Sequence, residues 1–463
     1  MPKNQPTPLE TLNKKIDNLV SHISDYTKNK GDFTRNRSLN AKTTIKTVLN
    51  MEGQSLNTEM IAAFPDIRAR TTTSAFEQQK NKLTPDMFME LFNEYNKVDY
   101  HNPLLNDRYL LFAIDGSDFN MPYQSKSKYA IRTENFKTKR KDGEPIKPYS
   151  QLHANMLYNI TDRTYADIVI QTENDANERV ACLTILKRLK CEQNYIVLMD
   201  RGYEGFNMIE NCNRLGDNAF YVIRTKAGAG GIKEIEELPD KECDTEMVFR
   251  VTTSNRYYIT HKDTENIHLV NARPKKSHTK YLSPNTKYQD WDLEQFVTIK
   301  CRVVKFRINN ADTGKEEWEV LLTNLNRFEF PIDKMKELYH LRWDIETSFR
   351  ELKYALGAVQ FHSRKDDFIE MELIAHLIMF NVVSHTINKV KVPQSAEKKY
   401  KYVLSFKDAV TLIRKYFRHF NSTPFEMIYT EMLGFTRPNI SGRKDKRKEI
   451  KNKSAVWFVY RVA

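Results

Sequence analysis

Apolar residues recur at intervals of three and four positions through the first hundred residues, a pattern typical of amphipathic helices. It predicts short helices at residues 9–24, 39–51, 55–63 and 85–95, which polar and glycine-containing joints separate. This part of the sequence carries no strand pattern. Residues 1–104 are therefore predicted to form a helical N-terminal region.

A different pattern begins at residue 108, where short apolar runs rich in β-branched and aromatic residues predict strands. Three strands come first, followed by a helix, a strand, a helix and a strand. This order is that of the ribonuclease-H-like α/β fold, a mixed sheet covered by helices. The elements are predicted at residues 109–114, 151–160, 165–171, 175–189, 195–199, 204–214 and 220–224, within a first core segment at 105–224.

Residues 225–325 are β-rich and irregular, and they are predicted to interrupt the core as an insertion. Strands are expected where the sequence reads MVFRVTT, YYITH, FVTIKCRVVKFRI and WEVLLTNL. Helical periodicity resumes at Ile332. Residues 326–385 are predicted to form the second part of the core, and residues 386–463 a helical C-terminal region with a basic tail and a candidate dimerisation surface.

The charge of the chain points to a polyanionic partner. Its 463 residues contain 73 Lys and Arg against 60 Asp and Glu, which gives a net charge of +13. Because each neutralised phosphate releases condensed counterions, a strongly basic protein favours nucleic acid. Basic residues concentrate at 126–147, 273–280 and 443–453, although such runs are more often solvated surface.

Hydropathy and cysteine spacing indicate the cellular compartment in which the protein is expected. The longest nearly apolar run, residues 373–383, is interrupted by His376 and Asn381 and is too short to span a bilayer. The five cysteines form no Cys-x-x-Cys pair, as is typical of a reducing compartment. We therefore expect a cytoplasmic protein without a membrane span.

Two aspartates share one sequence context. Asp115 and Asp200 each follow directly after a predicted buried strand, and open α/β sheets bind ligands at the carboxyl ends of their strands. Because two neighbouring carboxylates repel each other, a cation or a basic residue should balance them. Either aspartate alone could instead end its strand and start a turn.

The segment YHLRWDIETSFRELK carries four polar side chains at helical spacing. On a single helix, Tyr339, Arg342, Glu346 and Lys353 share an arc of about 60°. Facing DNA, Arg342 would bind a phosphate with its forked guanidinium, Tyr339 would donate a hydrogen bond, and Lys353 would act as a point charge. The alternative is a solvated face with intrahelical salt bridges such as that of Arg342 with Glu346.

The three acids together suggest a chemistry. Carboxylates from two strands and one helix, here Asp115, Asp200 and Glu346, can hold two divalent ions for in-line attack on a phosphodiester. Mg²⁺ suits such oxygen ligands. The sequence therefore predicts a phosphodiester-cleaving site that depends on Mg²⁺.

At these residues the sequence resembles the DDE transposases of bacterial insertion sequences. It is similar to the insertion-sequence-four family, which is marked by Tyr-x-x-Arg-x-x-x-Glu-x-x-x-x-x-x-Lys, present here from Tyr339 to Lys353. The resemblance extends to DGS at Asp115, DRGY at Asp200, the strand FYVIR and the segment LLTNL. It covers about residues 105–381.

The resemblance implies cut-and-paste DNA transposition, with Asp115, Asp200 and Glu346 as catalytic residues and metal ligands. It implies two Mg²⁺ ions, for which Mn²⁺ would substitute. The implied partner is double-stranded DNA, both the terminal inverted repeats and the target. A homodimer in a synaptic complex at the bacterial nucleoid is expected.

Some members of the family cleave through a DNA hairpin and use an insertion-domain tryptophan to hold a flipped base. Trp318 is the best match here and Trp291 the second, with Trp318 expected to lie near Tyr339 and Arg342. The alternative for Trp318 is a core position in its strand.

DNA-end recognition is expected from the N-terminal region, on the basic cluster Lys28, Lys30, Arg35 and Arg37. Two other functions stay open. One is a ribonuclease-H-like nuclease that cuts DNA without strand transfer, and the other is a non-catalytic DNA-binding inhibitor of transposition.

Overall fold

The computed structural model of the protein describes residues 6–439, apart from 36, 99–103, 132–146, 173–175, 229, 271–291, 310–313, 315, 396–397 and 419–424. The helices are α1 (Pro8–Ser21), α2 (Ala41–Leu49), α3 (Leu56–Ala63), α4 (Thr73–Lys80), α5 (Pro85–Asn96), α6 (Glu178–Arg188), α7 (Phe206–Asn213), α8 (Lys233–Glu236), α9 (Asn255–His261), α10 (Ile332–His340), α11 (Trp343–Arg350), α12 (Asp366–Lys389), α13 (Phe406–Arg418) and α14 (Phe425–Leu433). The strands are β1 (Tyr109–Met121), β2 (Ala130–Ile131), β3 (Tyr149–Asn159), β4 (Thr164–Thr172), β5 (Asn194–Met199), β6 (Ala219–Thr225), β7 (Cys243–Thr252), β8 (Ile267–Leu269), β9 (Phe296–Asn309), β10 (Glu316–Thr323), β11 (Lys401–Leu404) and β12 (Thr436–Asn439).

The N-terminal helices lie where the apolar spacing predicts them. Helix α1 begins with a capping box, in which the amide of Glu10 donates to the hydroxyl of Thr7 at 3.2 Å and the amide of Thr7 donates to the Glu10 carboxylate at 2.7 Å. The sequence pattern missed α4. That helix buries only Phe76 and Lys80, so its apolar periodicity is weak.

The central sheet has the predicted ribonuclease-H-like order. Strands β3 and β4 pair antiparallel, β3 pairs antiparallel with β1, and β1, β5 and β6 then follow in parallel. Helices α6 and α7 pack on one face of this sheet, while α11 and α12 pack on the other. The fold is therefore a mixed ribonuclease-H-like sheet covered by helices.

The expectation that a strand ends at Ile114 is wrong, because β1 continues to Met121. Its parallel pairing with β5 ends at Ala113 opposite Leu198, but β3 accompanies it on the other edge as far as Met121 opposite Ser150. Hydrogen bonds to β3 keep the chain extended, so Asp115 lies within a strand whose other neighbour has ended.

The insertion prolongs the core sheet. Strand β10 pairs antiparallel with β6, and β9, β7 and β8 continue from it in that order. The strand predicted at YYITH is wrong, since Asn255–His261 is helix α9, in which Ser254 accepts a hydrogen bond from the Tyr257 amide at 3.2 Å. This local cap outweighs the strand preference of the aromatic and β-branched residues. The division of the chain at residues 104, 224, 325 and 385 stays a prediction.

By length and composition, helix α12 could cross a membrane. However, 94% of its most apolar 18-residue stretch is buried inside the protein. The two polar residues that interrupt its apolar run, His376 and Asn381, are both buried inside the protein. Asn381 accepts a hydrogen bond from the Tyr165 amide at 2.8 Å and donates to the Tyr165 carbonyl at 2.8 Å, which satisfies the backbone of edge strand β4. Burial lowers the pKa of His376 to about 3. The helix is therefore a core element of this fold.

A buried ion pair joins the N-terminal region to α12. Lys80 on α4 lies 2.6 Å from the carboxylate of Glu372, and both side chains are almost fully buried. The other Glu372 oxygen accepts from the amide of His362 at 2.9 Å. Despite the opposing effect of burial, Lys80 and His362 hold the pKa of Glu372 well below its ordinary value.

We expect Lys80→Met to lower the free energy of unfolding by about 3–5 kcal/mol, because it leaves the Glu372 carboxylate buried without its cation. Adding Glu372→Gln should restore most of the loss, since the uncompensated charge is then gone. Urea unfolding of the full chain measures both. Lys97→Met is the control, because Lys97 pairs with Glu94 at the surface and should change little. A Lys80→Met protein as stable as wild type would contradict the importance of the pair.

Candidate active site

Asp115 and Asp200 lie on neighbouring strands at the carboxyl edge of the parallel part of the sheet. Asp200 directly follows the last residue of β5, as predicted, and Asp115 stands two residues beyond the end of the β1–β5 pairing. In each carboxylate one oxygen accepts a backbone amide hydrogen bond, from Gly116 at 2.9 Å and from Gly202 at 2.7 Å. The backbone thus orients both acids and leaves the second oxygen of each for other partners.

The two carboxylates interact electrostatically. Burial and the charge of Asp200 together raise the pKa of Asp115 to about 7, although the guanidinium of Arg342 opposes both effects. A single arginine therefore compensates the pair only in part.

The segment predicted as one helix is two helices and a π turn. Helix α10 ends at His340, α11 begins at Trp343, and Glu351–Ala355 forms the π turn. The prediction of a single uniform helix is wrong. A helical wheel assumes 100° per residue throughout, so it does not account for the turn at residues 341–342 or for the π-helical geometry of Glu351–Ala355.

This geometry still brings Arg342 and Glu346 to the aspartates. Arg342 is buried, with one guanidinium nitrogen 2.9 Å from the Glu346 carboxylate and another 3.9 Å from Asp115. Its Nε is buried and has no hydrogen-bond partner within the part of the chain described. Tyr339 donates its hydroxyl to the carbonyl of Met199, the residue before Asp200, at 3.2 Å. The arginine thus bridges two of the three predicted acids.

Lys353 lies farther along the same segment, in the π turn. Its ammonium is 4.9 Å from the centre of the Phe119 ring on β1. Burial lowers the pKa of Lys353, and the charge of Asp118 opposes the shift. Lys353 therefore faces the continuation of the strand that carries Asp115.

Trp318 contacts a different set of residues. Its indole nitrogen donates to Asp240 at 2.6 Å, and Lys305 and Arg307 lie over the ring at 4.8 and 4.6 Å from its centre. None of the described contacts joins it to Tyr339 or Arg342, so the expected proximity is not found.

Alternation along the strand accounts for this placement, because neighbouring side chains on β10 point to opposite faces of the sheet. Glu319 is the residue of β10 that interacts with Tyr339, and it forms a buried ion pair with Arg224 of β6 at 2.9 Å. Trp291, the second candidate, lies outside the described residues.

Sequence reasoning missed three polar residues behind the aspartates. His153 on β3 lies 2.7 Å from Asp118 and 3.8 Å from Glu178, the first residue of α6. Burial raises the pKa of Glu178, His153 opposes this, and Asp200 adds to it. An acid in the first turn of a helix is common, so the sequence offered no signal that distinguished Glu178.

In this structure the three acids Asp115, Asp200 and Glu346 form only part of a site for a divalent cation. No three acidic, imidazole or thiol groups among the residues the structure describes are close enough to hold a metal ion together. Asp115 and Asp200 supply hard oxygen ligands, as Mg²⁺ prefers, and Arg342 compensates their negative charge only in part. Glu346 is engaged by Arg342 and would complete the set on leaving it.

A ribonuclease-H-like sheet with two adjacent aspartates and a helix-borne glutamate is the arrangement of enzymes that cleave phosphodiester bonds with divalent metal ions, either by hydrolysis or by strand transfer. The family described as Transposase DDE domain matches residues 106–382, more than half of the chain. The chain belongs to this family.

Two further proteins are similar to this chain. Transposase InsG for insertion sequence element IS4 from Escherichia coli (strain K12) is 21% identical over 357 residues, covering 76% of this chain and 69% of the relative. The cryo-EM structure of the piggyBac transposase synaptic complex with hairpin DNA aligns over 97% of this chain and 89% of its own, with a TM-score of 0.45 and 11% identity. The chain is a DDE transposase, an enzyme of DNA transposition that depends on a divalent metal.

The raised pKa of Asp115 predicts a specific pH dependence. Between pH about 4 and 7 the folded state keeps a proton that the unfolded state releases, so metal-free stability should fall as pH rises through this range. We expect Asp115→Asn to be more stable than wild type at pH 8 by about 1–4 kcal/mol in EDTA, and the difference to shrink toward pH 4. Thermal unfolding at several pH values measures this. Asp217→Asn, at an exposed acid, is the control; a difference independent of pH would contradict the assignment.

Proposed function

We propose that this transposase excises and inserts an insertion sequence, using Asp115, Asp200 and Glu346 as the acids that hold two Mg²⁺ ions, with Mn²⁺ as a substitute. The observation that carries the proposal is the bridge that Arg342 makes between Asp115 and Glu346, beside Asp200. It supports a common site for acids that are far apart in the sequence. When bound, the ions would supply Lewis-acid stabilisation of charge on the phosphate oxygens.

The chain's own residues position the DNA. Arg342 exchanges its contact with Glu346 for a DNA phosphate, to which its buried Nε and forked terminal nitrogens can donate together. The Tyr339 hydroxyl exchanges its hydrogen bond to the Met199 carbonyl, next to Asp200, for one to a neighbouring phosphate. Lys353 provides a point charge along β1. When Arg342 binds the DNA phosphate, it releases the Glu346 carboxylate, which can then bind the cation.

DNA-end recognition is assigned to the N-terminal region, where Lys28, Lys30, Arg35 and Arg37 supply positive charge. Within the described chain, Lys28 forms an exposed ion pair with Asp367 at 3.1 Å, which phosphate could displace at small cost. The basic tracts at 273–280 and 443–453 and most of 126–147 lie outside the described residues. The partner is proposed to be the element's terminal inverted repeats and then target DNA, held by a homodimer at the nucleoid.

Trp318 is proposed to occupy the stacking position that a flipped base leaves empty during hairpin formation. The reason is that base–aromatic stacking is worth about 1–3 kcal/mol. For this, Lys305 and Arg307 must leave the face of the indole. Lys305 would keep its hydrogen bonds to the carbonyls of Leu238 and Pro239, and Arg307 its ion pair with Glu316. The contact with Asp240 keeps the edge of the ring fixed meanwhile.

The three acids should be required for cleavage but not for binding, because phosphate contacts supply most of the affinity for DNA. We expect Asp115→Asn, Asp200→Asn and Glu346→Gln each to lower cleavage of an end-containing duplex by about 10³-fold or more. Gel-shift binding should persist. Asp333→Asn on α10, at a highly exposed acid, should cleave normally.

The same assay separates the alternatives. Joining of the cut end to a target plasmid is the expected result, whereas cleavage without joining would indicate a nuclease. Binding without any cleavage by the wild-type chain would indicate an inhibitor. Undiminished cleavage by Asp200→Asn would contradict the proposed site.

The role of Trp318 has its own test, in which Trp318→Ala should form nicked ends normally and accumulate fewer hairpins, because only the second step needs the stacked ring. Denaturing gels of an end-containing duplex resolve the two products. Trp343→Ala, at a partly exposed tryptophan next to Arg342, tests whether the effect is specific. A wild-type enzyme that forms no hairpin would assign Trp318 to its strand contacts alone.

A further inference from the structure

The two glycines next to the catalytic aspartates share one neighbour. A Cβ atom at Gly116 would lie 2.7 Å from one carboxylate oxygen of Glu178, and a Cβ at Gly202 would lie 3.1 Å from the other. Neither glycine has a positive φ that would by itself require glycine. The absence of side chains at these positions therefore makes room for the Glu178 carboxylate between the ends of two catalytic strands.

Glu178 is held in this space from two sides. It is the first residue of α6, whose start is fixed by the Asn177 side chain accepting from the Val180 amide at 3.2 Å. On the sheet, His153 lies 3.8 Å from Glu178 and 2.7 Å from Asp118, so the imidazole links the helix to β1. An acid on a helix is thereby tied to the strand that carries Asp115.

We propose that Glu178 is a fourth acidic residue of the active centre, a positioning residue that acts through Asp115 and Asp200 to strengthen divalent-cation binding. This inference rests on the proposed roles of the two aspartates. The carboxylate fills the space behind both acids and so restricts their movement. Its charge also adds to the negative potential that attracts the cation.

Packing alone does not account for an acid at this position. The Glu178 side chain is 40% exposed, so it contributes little apolar burial. Placing a third negative charge beside Asp115 and Asp200 costs energy in the metal-free protein. The charge also interacts with His153 and with the start of α6, so the proposal is separated from a purely structural role by a loss of cation binding without a loss of metal-free stability.

The test compares the full-length chain with Glu178→Gln, which keeps the shape and removes the charge. Mn²⁺ binding, followed by electron paramagnetic resonance of the free ion, gives a readout independent of activity. We expect about 10-fold weaker Mn²⁺ binding and a similarly raised Mg²⁺ requirement for cleavage, as outer contacts of metal sites typically give 10–100-fold effects. Binding of the element's end and the Tm in EDTA should not fall.

Two further variants sharpen the comparison. Glu178→Asp, which keeps the charge, should restore part of the Mn²⁺ affinity. Glu192→Gln removes one exposed acid beyond the opposite end of α6 and should bind Mn²⁺ as wild type does. A smaller defect is expected for Asp118→Asn, because Asp118 holds the His153 imidazole that contacts Glu178.

Unchanged Mn²⁺ binding in Glu178→Gln would overturn the inference, as would a loss of Tm and DNA binding that accompanies the loss of affinity. The proposed function fails separately. If Asp115→Asn binds Mn²⁺ as tightly as wild type, the aspartates are not metal ligands. If Asp115→Asn loses binding while Glu178→Gln keeps it, only the role of Glu178 is excluded.

Discussion

Parallel pairing of β1 with β5 is the constraint on which the active centre depends, because it forces two carboxylates into one place at the edge of the sheet. Asp115 and Asp200 repel each other there, and burial makes the repulsion stronger. The surrounding structure moderates it with two backbone amides and the guanidinium of Arg342. A site that is incompletely balanced in this way has a physical reason to attract both a cation and the phosphates that accompany it.

The helix that carries Glu346 is positioned from outside the sheet. After its π turn the chain passes Gly357, where a Cβ would lie only 2.7 Å from the backbone of Gly53, so two loops meet without side chains between them. Arg414 of α13 donates to the carbonyls of Met51 at 2.7 Å and Leu356 at 3.1 Å and so connects both loops. The N-terminal region, the C-terminal helix and the catalytic segment thus share one buried junction, supported by the Lys80–Glu372 pair on α4 and α12. DNA held by the N-terminal region would therefore act on a helix that is already anchored to it.

The insertion also contributes to the site by extending the same sheet. Because β10 runs antiparallel to β6, its first residues reach the edge at which β5 ends, and Glu319 meets Arg224 close to Tyr339. The face of β10 toward α10 and α11 therefore borders the candidate active site. The opposite face carries Trp318 among residues of the insertion. One strand thus carries two different surfaces, and its register decides which residue lies on which surface.

The sequence by itself determined the elements whose signals are local. Apolar spacing located most helices, continuous apolar runs located the core strands, and the spacing from Tyr339 to Lys353 marked the residues that belong with Asp115 and Asp200. Tertiary structure decided what depends on distant partners. Strand β1 continues past Asp115 because β3 pairs with it, and the position of Glu178 depends on two glycines from other segments. Lys80, on a helix with little apolar pattern, is buried because Glu372 compensates its charge. Such choices follow from contacts between residues far apart in the chain, which no local pattern records.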